Sequence, residues 1–209
     1  MNYRAYKGAI FDCDGTLLES MGMWKNNAAR LVKHFGFEPT PDLDEKCFNV
    51  SMNEVCKYIN EQYNMENNPK DLTKLAYELA YDEYLYNLEL KTHTKKLLDE
   101  LKSLNYRMIV ATATPSKIVK ECFKRLGILD YFIDIISVRD YDINKYESKI
   151  YDIALEKLDL DKSEVLVFED ALYAIKTCLK SNYQVVVVKD LYQDNLEAVL
   201  NDVVGIIEL

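Results

Sequence analysis

The sequence predicts an α/β protein in which a parallel sheet carries helices on both faces and is interrupted by an all-helical insertion. Short apolar runs alternate along the chain with stretches that have helical periodicity. Alternating strands and helices form parallel sheets, because each connecting helix packs back onto a face of the sheet. One stretch, about residues 18–90, breaks the alternation and carries helical periodicity alone. With 209 residues and about 150 in a typical domain, one domain plus an insertion is the expected organisation.

Six apolar runs are predicted strands. The first, residues 7–11, ends at the sequence DCDGT, where Gly15 interrupts regular structure. The last, residues 203–207, is short and is predicted to form an edge strand. The others have the same apolar character and lie at residues 107–111, 133–138, 164–168 and 184–188.

Helices are predicted between these strands. Residues 116–126 and 147–158 have apolar side chains three and four positions apart, and a third helix is expected to begin near Ala171. Within the insertion, three more helices are predicted at residues 21–35, 53–63 and 71–88.

The insertion is predicted to be a separate domain. Residues 18–90 form this helical domain, and residues 1–17 and 91–209 together form the α/β core domain. Asn53 and Asp71 are predicted N-caps, because their side chains can accept a hydrogen bond from a helix's first free N–H groups. Tyrosines are dense between residues 77 and 86, and we interpret them as packing residues rather than a substrate-stacking surface.

Composition excludes several classes of protein. Hydrophobic residues make up 49% of the chain and charged residues 29%, which is enough apolar material for a packed core. The formal net charge is −9 and the basic residues form no stripe, so no nucleic-acid partner is expected. Five cysteines without a CxxC pair fit reduced thiols in a cytoplasmic protein. The first residues become charged after a few apolar positions, so an unprocessed protein is expected. No apolar run approaches the roughly 18 residues of a membrane span, so no membrane partner is expected.

Two carboxylates follow the first predicted strand directly, in the order Asp12-Cys13-Asp14-Gly15-Thr16. Where a chain leaves a strand, alternate side chains are no longer held on opposite faces, and both carboxylates can turn into one crevice. Paired carboxylates repel unless a cation lies between them, and Mg²⁺ prefers such oxygen ligands. The alternative is a turn in which an aspartate caps the backbone.

Three further positions offer polar groups near strand ends. Thr112 follows the second predicted strand, where its hydroxyl can bind a phosphate oxygen or cap the next helix. Glu169 and Asp170 follow the strand at residues 164–168. Their carboxylates can belong to a site at the strand's carboxyl end or can interact with the dipole of the next helix. Lys145 lies in a loop before a helix and, considered alone, is a surface lysine. Together these groups would converge at one edge of a parallel sheet and form a phosphoryl-transfer site.

The sequence resembles the haloacid dehalogenase superfamily. FDCDGTL, VATAT, the first lysine of KYESKIY and VFEDA are similar, in order and spacing, to the four motifs of that superfamily. The helical insertion resembles the cap of the β-phosphoglucomutase-like phosphatase branch. The resemblance implies a Rossmannoid parallel sheet with an all-helical cap domain.

The resemblance implies a role for each matching residue. Asp12 would be the nucleophile and Asp14 the general acid and base. Mg²⁺ would be held by the Asp12 and Asp170 carboxylates and the main-chain carbonyl of Asp14. Glu169 would be a metal ligand or a hydrogen-bond partner of one.

Two groups would bind the transferring phosphoryl group, Thr112 and Lys145. The family often has the pattern KPxPD at the lysine, whereas this chain has Lys145-Tyr146-Glu147-Ser148-Lys149. Because both prolines are missing, Lys149 is an alternative to Lys145.

The resemblance also bears on the reaction. Glu19, Trp24, Met52 and Thr114 are the candidate substrate contacts. Hexose-phosphate mutases of this branch carry a histidine where alignment places Trp24 and an arginine in the stretch that offers Met52. Both differences favour hydrolysis over isomerisation. The expected function is a Mg²⁺-dependent phosphatase that hydrolyses a small phosphorylated metabolite, a phosphomonoester such as a sugar phosphate, through an aspartyl-phosphate intermediate. The alternatives are a hexose-phosphate mutase and an inactive module that binds a phosphorylated ligand. A monomer is expected.

Overall fold

A computed structural model describes residues 2–48, 50, 52–193 and 196–209. Its centre is a six-stranded sheet with every neighbouring pair parallel, in the order β3-β2-β1-β4-β5-β6. The strands are β1 Gly8–Phe11, β2 Arg107–Thr112, β3 Ile135–Ser137, β4 Val165–Glu169, β5 Gln184–Val188 and β6 Gly205–Ile207. All six predicted strands are confirmed.

The third strand, β3, is shorter than predicted. The apolar run at residues 133–138 suggests a strand that includes Val138, but β3 ends at Ser137. The Ser137 hydroxyl accepts a hydrogen bond from the Arg139 amide at 3.1 Å, which starts a short 3-10 helix instead. A side-chain cap thus ends the strand where the apolar pattern continues.

The register of the sheet places β1 at its centre. Phe11, the last residue of β1, pairs with Val110 of β2 on one side and with Phe168 of β4 on the other. The strand order reverses between β1 and β4, because the chain first builds outward to β3 and then returns to the opposite side of β1. Ligand crevices of open parallel sheets lie outside the carboxyl ends of strands at such a reversal.

Helices fill the connection between β1 and β2. They are α1 Met21–Lys25, α2 Asn27–His34, α3 Leu43–Cys47, α4 Met52–Tyr63 and α5 Pro69–Asp82, and a π-helical turn, Glu83–Asn87, follows α5 directly. Helices α2 to α5 share their own apolar cluster, which includes Leu31, Leu43, Ile59 and Leu72, whereas Tyr84 of the turn belongs to a cluster that also contains residues of the sheet. The connection begins and ends side by side, because Leu18 and Leu90 form an antiparallel bridge.

Some predicted helix ends are wrong. The helix predicted at residues 21–35 breaks into α1 and α2 at Asn26. Asn53 lies inside α4, and the preceding Ser51 is outside the described residues. Asp71 lies in the first turn of α5, and the cap is Asn68, whose side chain accepts a hydrogen bond from the Asp71 amide at 2.9 Å. Pro69 suits the first helical position, where no N–H partner is needed, so the helix starts earlier.

Four helices cover the sheet, two on each face: α6 Thr94–Ser103, α7 Ser116–Arg125, α8 Lys149–Leu158 and α9 Leu172–Lys180. Alternate residues of β1 and β2 enter two separate apolar clusters. The cluster with Phe11 also contains residues of α6 and α7, and the cluster with Ile10 contains residues of α8 and α9. The predicted helices on both faces of the sheet are therefore confirmed. None of the helices in the described parts of the chain is long and apolar enough to cross a bilayer.

An aromatic pair joins the two strands on which the candidate site depends. The rings of Phe11 and Phe168 stack with centroids 4.5 Å apart, and both residues are fully buried.

We expect Phe168→Ala to lower the free energy of unfolding by about 3–5 kcal/mol in urea denaturation, because the truncation removes apolar contact and leaves a cavity. The matched control is Phe37→Ala, since Phe37 is 38% exposed. This substitution should lower the free energy of unfolding by about 1 kcal/mol or less. Equal losses in the two variants would contradict this account of the core.

Candidate active site

Three buried carboxylates meet where the strand order reverses. Asp12 follows β1, Glu169 ends β4 and Asp170 comes next in the chain. One carboxylate oxygen from each lies within 4.8 Å of the others. The Asp12 amide donates to the Phe168 carbonyl at 2.9 Å, which continues the pairing of β1 with β4 past the last strand residue. The sheet itself therefore brings the carboxylates together.

A single lysine lies among these carboxylates. The Lys145 ammonium donates hydrogen bonds to Asp12 Oδ1 and, at 2.7 Å, to Glu169 Oε1. Its side chain is only 3% exposed. Lys149, the alternative cation, is exposed at the first residue of α8. Of the two lysines, Lys145 is the one in contact with the acidic cluster.

The charges in this cluster are unbalanced. Burial raises the pKa of Asp12 to about 7; Lys145 opposes the rise, and the Glu169 and Asp14 carboxylates add to it. Burial, with the charges of Glu169 and Asp12, also raises the pKa of Asp170 well above its usual range. Burial alone lowers the pKa of Lys145, but the attraction of Asp12 and Glu169 outweighs it and raises that pKa. One ammonium thus faces three carboxylates.

The cluster fits a hard divalent cation. Asp170 Oδ1 accepts a hydrogen bond from the Thr16 hydroxyl at 3.0 Å, whereas Asp170 Oδ2 is buried with no hydrogen-bond partner among the described residues. A buried carboxylate oxygen without a partner is costly unless a ligand or ion satisfies it. Gly15 has φ +78°, and a Cβ there would overlap the Asp170 carboxylate, so only glycine permits this close approach.

Glu169 is held by more partners than the other two carboxylates. Its Oε1 also accepts from the Tyr151 hydroxyl at 3.0 Å, and its Oε2 accepts from the amides of Asp170 and Ala171 at 3.0 and 3.2 Å. These bonds fix Glu169 behind Lys145. Its position suits either role predicted for it, a metal ligand or a partner of one.

Asp14 occupies a different environment from Asp12. Its Oδ1 accepts from the Tyr84 hydroxyl and its Oδ2 from the Thr114 hydroxyl, each at 2.6 Å. Thr114, a candidate substrate contact, therefore binds Asp14. The other threonine, Thr112, is fully buried, and its hydroxyl accepts from the Thr114 amide at 3.0 Å.

Tyr84 is the polar contact that sequence reasoning missed. It lies in the tyrosine-rich stretch that we interpreted as packing, and its ring is indeed fully buried. Its hydroxyl nevertheless contacts Asp14, while those of Tyr77 and Tyr81 donate to the Ala113 carbonyl at 3.1 Å and to Glu121 at 2.8 Å. Tyrosines at positions 77, 81 and 84 share a helix face, and this spacing was the available signal.

A cavity of about 300 Å³ opens beside the carboxylates. Trp24, Met52 and Thr114 line it together with Asp12 and Lys145, so three of the four predicted substrate contacts border the site.

Two predicted residues lie away from this cavity. Glu19 is not among the described residues that line it; its carboxylate lies 3.7 Å from the Lys91 ammonium. The Thr112 hydroxyl is bonded to the Thr114 amide, and Thr112 is likewise absent from the described lining. Strand-end position alone does not determine which hydroxyl faces the cavity.

The family model for haloacid dehalogenase-like hydrolases matches residues 9–188, and the chain belongs to this family. The predicted enzyme class, a phosphomonoester hydrolase of this family, is confirmed. A phosphatase of phosphorylated carbohydrates from Thermotoga maritima is 26% identical over 79% of this chain and 76% of its own length. Fructose-1-phosphate phosphatase YqaB of Escherichia coli is 24% identical over 83% of this chain and 92% of its own length.

The fold is shared with solved structures. A Thermotoga maritima protein assigned as a β-phosphoglucomutase superposes with a TM-score of 0.78 at 21% identity, over 97% of this chain and 94% of its own. The expected Rossmannoid sheet with a helical insertion, as in β-phosphoglucomutase-like members, is therefore confirmed.

Removing the buried ammonium should destabilise the protein. We expect Lys145→Met to lower the free energy of unfolding by about 3–5 kcal/mol at pH 8, because the Asp12 and Glu169 carboxylates lose their buried partner. Lys149→Met is the matched control and should change the free energy of unfolding by about 0.5 kcal/mol or less. Urea denaturation of both variants measures the difference, and a Lys145→Met variant as stable as the control would show that Lys145 does not balance the cluster.

Proposed function

We propose that this protein is a Mg²⁺-dependent phosphatase that hydrolyses a small phosphomonoester through an aspartyl-phosphate intermediate. The observation that carries the proposal is the Asp12 carboxylate, which borders the cavity while bonded to the buried Lys145. Asp14, Glu169 and Asp170 border the same cavity. Groups suited to act as a nucleophile, a proton-transfer carboxylate and oxygen ligands for a cation thus line one cavity, which supports the proposal.

The reaction consists of two displacements at phosphorus. In the first, an Asp12 oxygen bonds to phosphorus as the bond from phosphorus to the ester oxygen breaks, and Asp14 gives a proton to the departing alkoxide. In the second, Asp14 takes a proton from water, the water oxygen bonds to phosphorus, and the bond to Asp12 breaks. Inorganic phosphate and an alcohol are the products, and Asp12 and Asp14 return to their starting forms.

The surrounding groups control charge during these steps. Lys145 holds the Asp12 carboxylate and places a positive charge where phosphate and carboxylate would otherwise repel. Asp12 and Asp170 would ligate the metal ion, with Glu169 as a further ligand or a partner of one. A bound divalent cation supplies positive charge for the phosphate oxygens, and Mg²⁺ matches an all-oxygen donor set.

A small hydroxylated leaving group fits the helical side of the cavity. The Asn27 side chain lines the cavity, and its Oδ1 is buried without a hydrogen-bond partner among the described residues. A hydroxyl can bond to either end of an amide group, because it both donates and accepts. The phosphorylated carbohydrates of one relative have such hydroxyls, and we propose a sugar phosphate or similar metabolite here.

A hexose-phosphate mutase is the second candidate. Lys25 lines the helical side of the cavity, at 5.2 Å from the centre of the Tyr192 ring, and offers a cation for a second phosphate. Trp24 and Met52 supply no charge where mutases of this branch carry a histidine and an arginine, so hydrolysis is the preferred proposal.

The proposed domains are the core at residues 1–17 and 91–209 and the cap at residues 18–90. Cytoplasmic location and a monomeric state also stay predictions.

Substitution of the nucleophile tests this function. Wild-type protein should release free phosphate from sugar phosphates with Mg²⁺ and not with EDTA. Asp12→Asn should lower the rate by a factor of about 10³ or more, because the amide cannot form the covalent intermediate. Asp202→Asn changes an exposed aspartate and should keep the wild-type rate.

The same assay separates the alternatives. Glucose 1-phosphate supplied with a hexose bisphosphate would be isomerised without net phosphate release by a mutase. Wild-type activity in Asp12→Asn would contradict the covalent mechanism. Absence of both phosphate release and isomerisation across sugar phosphates, nucleoside monophosphates and small phosphoesters would favour the inactive binding module.

A further inference from the structure

We propose that Tyr84 is the residue that positions Asp14 for proton transfer, so that the helical insertion supplies part of the acid–base machinery. The inference rests on the proposed function, because it concerns the carboxylate assigned to move protons. Neither the strand-end positions nor the motifs identify Tyr84.

The direction of hydrogen bonding around Tyr84 follows from the donors present. The indole N–H of Trp24 lies 3.1 Å from the Tyr84 oxygen and can only donate. The Tyr84 oxygen therefore accepts from Trp24, and its own hydrogen is directed to Asp14 Oδ1 at 2.6 Å. The Thr114 hydroxyl lies farther from Tyr84, at 3.3 Å, and donates to Asp14 Oδ2 at 2.6 Å. A chain of bonds runs from Trp24 through Tyr84 to Asp14.

Hydroxyl partners suit a carboxylate that must both give and take a proton. A hydroxyl donates to a carboxylate oxygen and can equally accept from a protonated carboxyl group. Tyr84 and Thr114 can therefore keep Asp14 in place through both proposed displacements. An ammonium would favour the ionised form alone, and that arrangement is found at Asp12, which bonds to Lys145 and is assigned no proton transfer.

The backbone around Tyr84 is fixed to the sheet-bearing part of the protein. Tyr84 lies in the π-helical turn Glu83–Asn87, and such turns are frequent at functional sites. The Arg125 guanidinium, at the end of α7, donates to the Tyr84 carbonyl at 3.3 Å and to the Leu88 carbonyl. The hydroxyl of a fully buried ring is thus held at the point where the insertion returns to the sheet.

Asp14 consequently receives one hydrogen bond from each part of the chain. Thr114 follows β2, whereas Tyr84 and its donor Trp24 belong to the connection between β1 and β2. The Tyr84 bond is present only while that connection lies against the sheet, whereas the Thr114 bond comes from the sheet-bearing part of the protein itself. The helical insertion therefore supplies one of the two side-chain hydrogen bonds that orient the proposed proton-transfer group.

The choice of leaving group separates a positioning role from a structural one. An alkoxide needs a proton as it departs, whereas p-nitrophenolate departs without one. The ratio kcat/KM reports the steps up to and including the first displacement. For Tyr84→Phe we expect kcat/KM to fall about 10- to 100-fold with a sugar phosphate, part of the 10²–10⁴ that general acid–base catalysis contributes. With p-nitrophenyl phosphate the same ratio should change less than about threefold.

Three further variants complete the experiment. Tyr81→Phe is the matched control, because the Tyr81 hydroxyl contacts Glu121 rather than Asp14. This variant should leave kcat/KM unchanged with both substrates. Thr114→Val removes the other hydroxyl that bonds to Asp14. If Tyr84→Phe is poorly folded, Thr114→Val takes its place and should show the same selective loss of kcat/KM. Trp24→Phe removes the distal donor and also alters the cavity lining, so the comparison between substrates is decisive, and the loss of kcat/KM should again be larger with the sugar phosphate.

If Asp12→Asn abolishes phosphate release, the proposed function stands, and two outcomes would then overturn the inference. One is an equal loss with both substrates, which indicates a structural role for Tyr84. The other is full activity of Tyr84→Phe with the sugar phosphate. If Asp12→Asn retains activity or the wild type releases no phosphate, the proposed function fails and this inference fails with it.

Discussion

The site depends on an excess of buried negative charge at the centre of the sheet. Asp12, Glu169 and Asp170 bring three carboxylates together, and Lys145 is the ammonium bonded to two of them. Such a group of charges is unstable without further positive charge, because buried carboxylates lose their hydration. The pairing of β1 with β4 and the glycine at position 15 serve to hold these groups close. A bound divalent cation would satisfy the unpartnered oxygen of Asp170 and balance the charge.

The helical insertion is connected to this centre through tyrosine hydroxyls. Tyr77, Tyr81 and Tyr84 each donate from α5 or the turn after it to a group beside the sheet. The apolar rings pack within the protein while the hydroxyls find polar partners at the boundary. One helix face therefore contacts the sheet-bearing part of the protein and, through Tyr84, reaches Asp14. The cavity lies between the two parts, and closure over a substrate would exclude bulk water from the reacting groups.

Sequence reasoning identified the strands and the groups at their ends, because parallel strands deliver the residues that follow them to one edge of the sheet. It therefore located Asp12, Asp170 and Lys145. It predicted both Thr112 and Thr114 as site residues, and of the two only Thr114 is among the described residues that line the cavity, because side-chain direction after a strand depends on local hydrogen bonds. Tyr84 was missed because a buried tyrosine in a helix looks like packing until its partner, 70 residues away in the chain, is known.

The most direct test of the charge-balance account is thermal unfolding with and without Mg²⁺. An ion that binds only the folded protein raises its Tm with concentration. The account predicts such a rise for wild-type protein and for Asp202→Asn, and little or none for Asp170→Asn, which loses a charged oxygen ligand. A wild-type Tm that does not respond to Mg²⁺, or an equal rise in Asp170→Asn, would contradict it.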